Sequence, residues 1–351
     1  SGLADTLTYK LGLLKKLIVL APSSTFEFRG PGLDLKVVGA KLGATAMLEG
    51  TVRRAGGMLR VNARLVDIVS GQQLWSGSYD RSDTDLFAVQ DEIATAVTEA
   101  LHVVLSPGDE SLLAKTSTLS LTAYDAYLKA QPLLATRLHD NMQTAVDYLR
   151  EATHIDPDYA LAWAGLAQAL TLAAGYGTLD WGTVAEEAHN AAAKARALDL
   201  KLGEAYLAEA LVAVSDNQMG GTSQWPDGFI TGMLQRALEL SPNNSKVLKL
   251  QSEFVESKEE GLALLKRAAQ LDPEAGIIHL NIAQRYLSLR RFEEANEWGI
   301  KAMGVTHPPA ELVYATLGEA QLFEPGGLAN AARWVLDYQR RFPRKASAYA
   351  L

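Results

Sequence analysis

Leu3, Leu7, Leu11 and Leu14 recur at helical spacing, and the apolar run from Leu17 to Leu20 predicts a short buried strand. A further helix is predicted over Leu33 to Leu42, after the turn signal Gly30-Pro31-Gly32. The period then changes. Ala46, Leu48, Gly50 and Val52 alternate with Met47, Glu49, Thr51 and Arg53, and Leu59 to Val66 alternate likewise, as half-buried strands do. Gly56 and Gly57 between them tolerate the positive φ angles that two-residue hairpin loops demand. With Ala55 opposite Met58, the pairs Val52 with Val61, Gly50 with Ala63 and Leu48 with Leu65 make one face apolar. The other face sets Glu49 opposite Arg64, Thr51 opposite Asn62 and Arg53 opposite Arg60. A second turn at Ser70-Gly71 brings in Gln72 to Asp80, and pairing Leu65 with Leu74 sets Trp75 beside Arg64 and Tyr79 beside Arg60. From Leu86 a helix is predicted through Val89, Ile93, Val97, Leu101 and Val104, ending before Pro107-Gly108 and covering the apolar face.

From Leu119 onward the pattern is helical and repeats at about the 34-residue period of tetratricopeptide motifs, which predicts about six repeats. In each repeat the second helix needs small residues where helices touch, an apolar residue between them and a proline that stops it. Ala145, Leu149, Ala152 and Pro157 show this spacing, as do Ile230, Leu234, Ala237 and Pro242. Gly261, Leu265, Ala268 and Pro273 repeat it, and Ala331, Val335 and Pro343 close the series. First helices supply the complement in Trp163, Leu166 and Ala167, in Tyr206 with Ala210, and in Tyr314 with Leu317 and Gly318. Three departures stand out: Leu200 replaces the stop proline, His279 replaces the large first anchor, and Ala188, Ala192 and Ala195 make an unusually small second helix. Two consecutive repeats also carry extra residues between their helices, Thr171 to Gly182 and Ser215 to Gly228, each with a tryptophan.

The run Leu48-Glu49-Gly50-Thr51-Val52-Arg53-Arg54-Ala55-Gly56-Gly57 resembles the TolB amino-terminal-like domain that precedes tetratricopeptide repeats in bacterial signalling proteins. So do Leu65-Val66-Asp67, Ser70-Gly71, Leu74-Trp75, Tyr79-Asp80-Arg81 and Phe87-Ala88-Val89-Gln90-Asp91-Glu92-Ile93. The resemblance implies a regulatory or interaction region that lies behind a class III nucleotide cyclase or a winged-helix activation domain, and it hands over no catalytic residue. Members of the family carry a first strand just before the stretch that Ser1-Gly2-Leu3 matches. The chain is therefore expected to be part of a longer polypeptide, with a sheet that either recruits a strand from elsewhere in the chain or, lacking one, self-associates through its edge. The expected architecture is an α+β amino-terminal domain over 1–108, an antiparallel meander packed by helices, a linker over 109–118, and an all-α tetratricopeptide solenoid over 119–345.

Composition narrows the function. The 351 residues are 48% hydrophobic and 21% charged, as in globular proteins that fold into more than one unit. With 33 basic against 41 acidic residues the net charge is −8, which disfavours binding to nucleic acid or anionic lipid. Absence of cysteine removes thiolate chemistry and leaves cytoplasm and periplasm open, with a membrane anchor upstream compatible with either. Leu17 to Ala21 is far short of the roughly 20 apolar residues a membrane helix needs. There is no phosphate loop, nucleophile elbow or His-Glu-x-x-His, and Gly175-Tyr176-Gly177 lacks the strand context of a dinucleotide site. His102, His139, His154, His189, His279 and His307 have no ligand spacing. No enzyme activity, metal or cofactor is expected.

Two surfaces are candidates for partner binding. On the hairpin's polar face Arg53 and Arg60 repel unless an anion, a carboxylate or a neighbouring domain sits over them, and Arg60 and Arg64 would stack on Tyr79 and Trp75, each pair contributing about 0.5 to 1 kcal/mol. The alternatives are a solvated face with a Glu49 to Arg64 pair and a docking surface rich in Arg and aromatics. The second surface is the concave side of the solenoid, lined by first helices, where Lys246, Lys249, Glu253, Gln284 and Glu319 lie among apolar residues; ordinary solvation is the alternative there. The expected function is a non-catalytic module that binds a protein or peptide through the repeats. The other reading is a ligand-sensing region that controls a cyclase or DNA-binding domain outside this chain.

Overall fold

A computed structural model describes residues 2–25, 28, 34–82, 85–106, 109, 113, 118, 120–136, 138–221, 225–305, 310–323 and 327–341. The turn Gly30-Pro31-Gly32, Pro107-Gly108, Leu119, His307 and Pro343 lie outside the described residues. The chain divides into two compact units, Ser1–Asn244 and Ser245–Leu351.

The first unit begins with α1 (Gly2–Gly12), one turn of helix α2 (Pro22–Thr25) and α3 (Leu35–Leu42). The Asp34 side chain caps α3 by accepting from the Lys36 amide at 2.9 Å, and Gly43 ends it at φ 66°. Three antiparallel strands follow in the order β1 (Ala46–Ala55), β2 (Met58–Asp67), β3 (Gln73–Ser82). The first hairpin has the register expected from its glycine loop, from Ala55 opposite Met58 through Val52 opposite Val61 to Leu48 opposite Leu65. Gly56 and Gly57 sit at φ 60° and 76°, where a β-branched residue is strained.

The second hairpin differs from expectation. Val66 pairs with Gln73, but Leu65 pairs with Trp75, so Leu74 is an extra residue in a bulge and every pair beyond it is displaced by one. Trp75 and Tyr79 therefore share a face with Leu65 and Val61, and Leu74, 39% exposed, does not take the place opposite Leu65. A shift of one residue moves a side chain to the other side of a sheet. Gly77 lies between the two rings, where a Cβ would come 2.7 Å from the Trp75 Cζ2 atom and 3.0 Å from the Tyr79 Cε2 atom.

Helix α4 (Leu86–Ala100) covers the apolar face of β2 and β3, with Leu86, Val89, Ile93 and Val97 against Leu59, Val61, Ala63 and Leu65. It stops short of Val104, because His102 turns to φ 53°. Leu7, Leu11 and Leu14 complete this core. Leu17 to Leu20 is not a strand. Leu17 and Val19 pack against the core and Ile18 is 76% exposed, so the alternation of a strand is present, but among the described residues no ladder partner reaches it. The expected linker is packed where it is described: Leu113 is buried in the sheet core, its carbonyl accepts from the Lys10 ammonium at 2.8 Å, and the Thr118 hydroxyl donates to Asp156.

Six helix pairs follow among the described residues. They are α5 (Leu121–Thr136) with α6 (His139–Ile155), α7 (Ala160–Gly175) with α8 (Trp181–Leu198), and α9 (Gly203–Met219) with α10 (Phe229–Leu240) in the first unit. The second unit holds α11 (Ser245–Gln251) with α12 (Lys258–Leu271), α13 (Gly276–Ser288) with α14 (Phe292–Gly304), and α15 (Ala310–Leu322) with α16 (Gly327–Arg341). This is an α+β sheet domain followed by all-α tetratricopeptide-type repeats. Ala145, Leu149, Ala152, Leu234, Ala237, Leu265 and Ala268 are buried as the repeat pattern requires. Where Leu200 replaces proline the stop survives by other means. Asp199 accepts from the Lys201 amide at 3.0 Å, as Asp156 does from the Asp158 amide at 3.1 Å. The Tyr206 hydroxyl then donates to the Leu200 carbonyl at 3.0 Å, as the Trp163 indole donates to the Pro157 carbonyl at 2.9 Å.

His279 is buried edge-on to Trp298, with ring centroids 5.4 Å apart and Nδ1 unbonded among the described residues. Burial holds its pKa below the ordinary 6.5. The fold keeps the ring neutral while the unfolded chain protonates, so its contribution is lost as pH falls below about 6.5. Thermal unfolding of the full chain should show the difference between His279→Leu and wild type widening in favour of the variant as pH drops from about 7 to about 5. A difference independent of pH would remove His279 as a source of acid sensitivity.

Candidate functional site

On the sheet's polar face Arg53 does stand opposite Arg60, and Glu49 opposite Arg64. The bulge brings Asp80 opposite Arg60, which donates from Nε to Oδ1 at 2.6 Å; Asp80 holds the Arg60 guanidinium above its ordinary pKa. Arg64 Nε donates to Glu49 Oε1 at 2.5 Å, and the Ser78 hydroxyl donates to Asn62 at 2.8 Å. The expected stacking of Arg60 and Arg64 on Tyr79 and Trp75 does not form, because both rings lie on the opposite face and pack against the core. Two of the three arginines thus have carboxylates within their own sheet. Exposed pairs of this kind contribute only about 0 to 1 kcal/mol each.

The five inner-face candidates separate into two sets. On α11 and the turn after it, Lys249 pairs with Glu253 at 2.9 Å, and Lys246 is engaged as well. Gln284 and Glu319 come together on α13 and α15, where they line an open groove of about 410 Å³ with Leu287, Ser288, Leu312, Ala315 and Thr316. The last five were missed from the sequence. Their signal is in the sequence, since 284, 287 and 288 on α13 and 312, 315, 316 and 319 on α15 each follow the helical period of a single face. Neither Gln284 nor Glu319 has a side-chain partner among the described residues.

A third cluster joins the two inserted segments. The Asp216 carboxylate, buried on α9, accepts from the Trp181 indole at 3.1 Å on Oδ1 and from the Trp225 indole at 2.8 Å on Oδ2. His189 Nε2 lies 2.9 Å from the same Oδ2, and its ring stacks on Trp225 with centroids 5.5 Å apart. Trp225 in turn stacks on Phe229 at 4.4 Å. Gly221 lets the chain close over the carboxylate, because a Cβ there would come within 2.1 Å of Asp216 Oδ1. One buried acid therefore holds both tryptophans that the sequence marks as departures from the plain repeat.

No protein-family model matches the chain. Over 167 residues, 47% of its length, the chain is 34% identical to "Putative adenylate cyclase 3" of Rhizobium meliloti (strain 1021), and it spans 28% of that protein's length. Among solved structures it is similar to Pseudomonas aeruginosa PilF, with a TM-score of 0.43 and 20% identity over 65% of this chain and 96% of that one. It is also similar to the APC/C hetero-tetramer Cut9-Hcn1, with a TM-score of 0.47 and 15% identity over 75% of this chain and 51% of that one. A third similar structure is YrrB, a TPR protein with an unusual peptide-binding site, with a TM-score of 0.31 and 16% identity over 60% and 97% of the two chains.

Asp216→Ala should leave two indole N–H groups without their acceptor and cost roughly 3 kcal/mol. Thermal unfolding should register the loss, and tryptophan emission should shift to the red as Trp225 gains solvent. Unchanged stability and emission would show that the loops are held by packing alone.

Proposed function

We propose that the chain is a non-catalytic module that binds a polypeptide through its repeats, with the groove between α13 and α15 as the seat. The observation that carries this is the groove itself: Leu287, Leu312 and Ala315 offer apolar contact, and Gln284 and Glu319 stand beside them with unused polar atoms. A segment that fits presents apolar side chains and a basic residue to Glu319. The division into a sheet domain over 1–108, a connection over 109–118 and repeats over 119–345 belongs to the same proposal, as does kinship of the sheet domain with the TolB amino-terminal-like family. A second reading, a region that regulates a cyclase on the same polypeptide, is favoured by the 34% identity to the Rhizobium meliloti protein. The coding sequence upstream of Ser1 decides between the two. Among the described residues no helix is long and apolar enough to cross a membrane.

Fluorescein-labelled amphipathic peptides that differ only in carrying Lys or Glu at their polar positions test the groove. Anisotropy should show the Lys series binding the full chain about tenfold more tightly, Glu319→Lys reversing the preference, and Ala315→Trp abolishing both. Binding of neither series, or a preference that Glu319→Lys leaves intact, would sink the proposal.

Self-association through the sheet is part of this reading. Among the described residues β1 has β2 on one side and no strand on the other, and Val52 and Met58 at its end of the hairpin are 43% and 52% exposed. Sedimentation should show concentration-dependent dimers of the full chain that Val52→Lys suppresses. A monomer at every concentration overturns this part.

A further inference from the structure

In the first unit the inner face of the repeats is already occupied. Helix α1 turns Leu7 and Leu11 into the sheet core, where Leu14 of the following turn joins them, and on its other side Tyr9 packs against the apolar cluster built by the first three repeats. The Tyr9 hydroxyl donates to Glu204 Oε2 at 3.3 Å, and Glu204 sits in the first turn of α9, a first helix. The Thr6 hydroxyl bonds the Tyr124 hydroxyl on α5, another first helix. Between them, Gln168 of α7 donates to the Glu204 carbonyl at 3.3 Å. Asn244 donates to Glu204 Oε1 at 3.3 Å, and Asn243 donates from Nδ2 to the carbonyls of Leu17 at 2.6 Å and Leu14 at 3.3 Å. Burial, with Glu204 beside it, pushes the Tyr9 phenol well above its ordinary pKa, and burial raises Tyr124 to about 12, so both remain neutral hydroxyls near neutral pH.

These contacts are those of a bound ligand. One phenol is read by a carboxylate, and the main-chain carbonyls of Leu14 and Leu17, in the turn that follows α1, are read by an asparagine amide, the Leu14 carbonyl also accepting from the Leu17 amide at 3.2 Å. We infer that the inner face of the first three repeats is a helix-binding site that α1 fills in cis, and that an amphipathic helix bearing a tyrosine competes with α1 for it. The inference rests on the reading of inner repeat faces as polypeptide-binding surfaces. It divides that function: partners reach the α13–α15 groove directly and the first three repeats only when Tyr9 leaves. An occupant tethered in cis has a millimolar-scale effective concentration, so it excludes a dilute competitor of similar intrinsic affinity.

The probe is a fluorescein-labelled peptide with the sequence of residues 2–20, added to the full chain. Wild type should take up little of it. Tyr9→Ala removes the anchor while keeping Leu7, Leu11 and Leu14, and should bind the peptide about tenfold more tightly. Tyr9→Phe, which preserves ring packing and loses only the hydroxyl, should fall between. Adding Asn243→Ala to either variant should abolish uptake, and adding Glu319→Lys should leave it unchanged, which separates this site from the groove on α13 and α15. Equal uptake by wild type and variants, or none by either variant, overturns the inference.

Discussion

Burial of α1 on two sides is the constraint on which the first unit depends. Its leucines Leu7 and Leu11, with Leu14 just beyond its end, enter the sheet core, and burying each contributes about 1.5 to 3 kcal/mol. Its other side meets the repeats through the Tyr9 phenol and the Thr6 hydroxyl, and the turn after it through the Leu14 and Leu17 carbonyls held by Asn243, contacts worth about 0.5 to 1.5 kcal/mol apiece. The sheet side is therefore the stronger. Lys10 reinforces this. Its buried ammonium meets Asp91 of α4 and the Leu113 carbonyl, both groups that pack with the sheet. A buried cation that lost such partners would be strongly destabilising, so this anchor stays closed.

In the repeats stability comes from neighbour-to-neighbour packing of small residues, and each interface needs its own stop and its own anchor. The stop at Leu200 shows that proline is one solution among several. An aspartate that caps the turn and an aromatic hydroxyl that binds the next carbonyl give the same geometry. The inserted segments would weaken this linear scheme if they were loose. Asp216 prevents that by drawing Trp181, Trp225 and His189 to one point, which ties the second repeat to the third.

The first hairpin was legible because Gly56 and Gly57 fix both the turn and the register, and alternation does the rest. The second was not, since nothing local distinguishes Leu74 as the extra residue of a bulge, and its misplacement carried Trp75 and Tyr79 to the wrong face. Leu17 to Leu20 misled for a related reason: alternation reports which side is buried and is silent on whether a ladder partner exists. Helices of the repeats were legible from their period, whereas the triple role of Asp216 depends on partners at positions 181, 189 and 225. Its one trace in the sequence is an acid within an otherwise buried helix. Gln284 and Glu319 follow from their place on first helices, whereas the groove between them needs α13 and α15 side by side.

The sheet's polar face and the groove of the repeats differ in what desolvation would cost a partner docked on each. A partner docking over Arg60 and Arg64 must either bury pairs that Asp80 and Glu49 already satisfy or break them, and neither returns more than the small energy of an exposed pair. Gln284 and Glu319 impose no such cost, because their polar atoms exchange water for a partner without first losing a protein bond. The apolar Leu287, Leu312 and Ala315 beside them supply area that the paired arginine face lacks. The same balance of apolar area and polar satisfaction accounts for the seat of α1: Tyr9 brings apolar area together with one hydroxyl that finds its acceptor in Glu204.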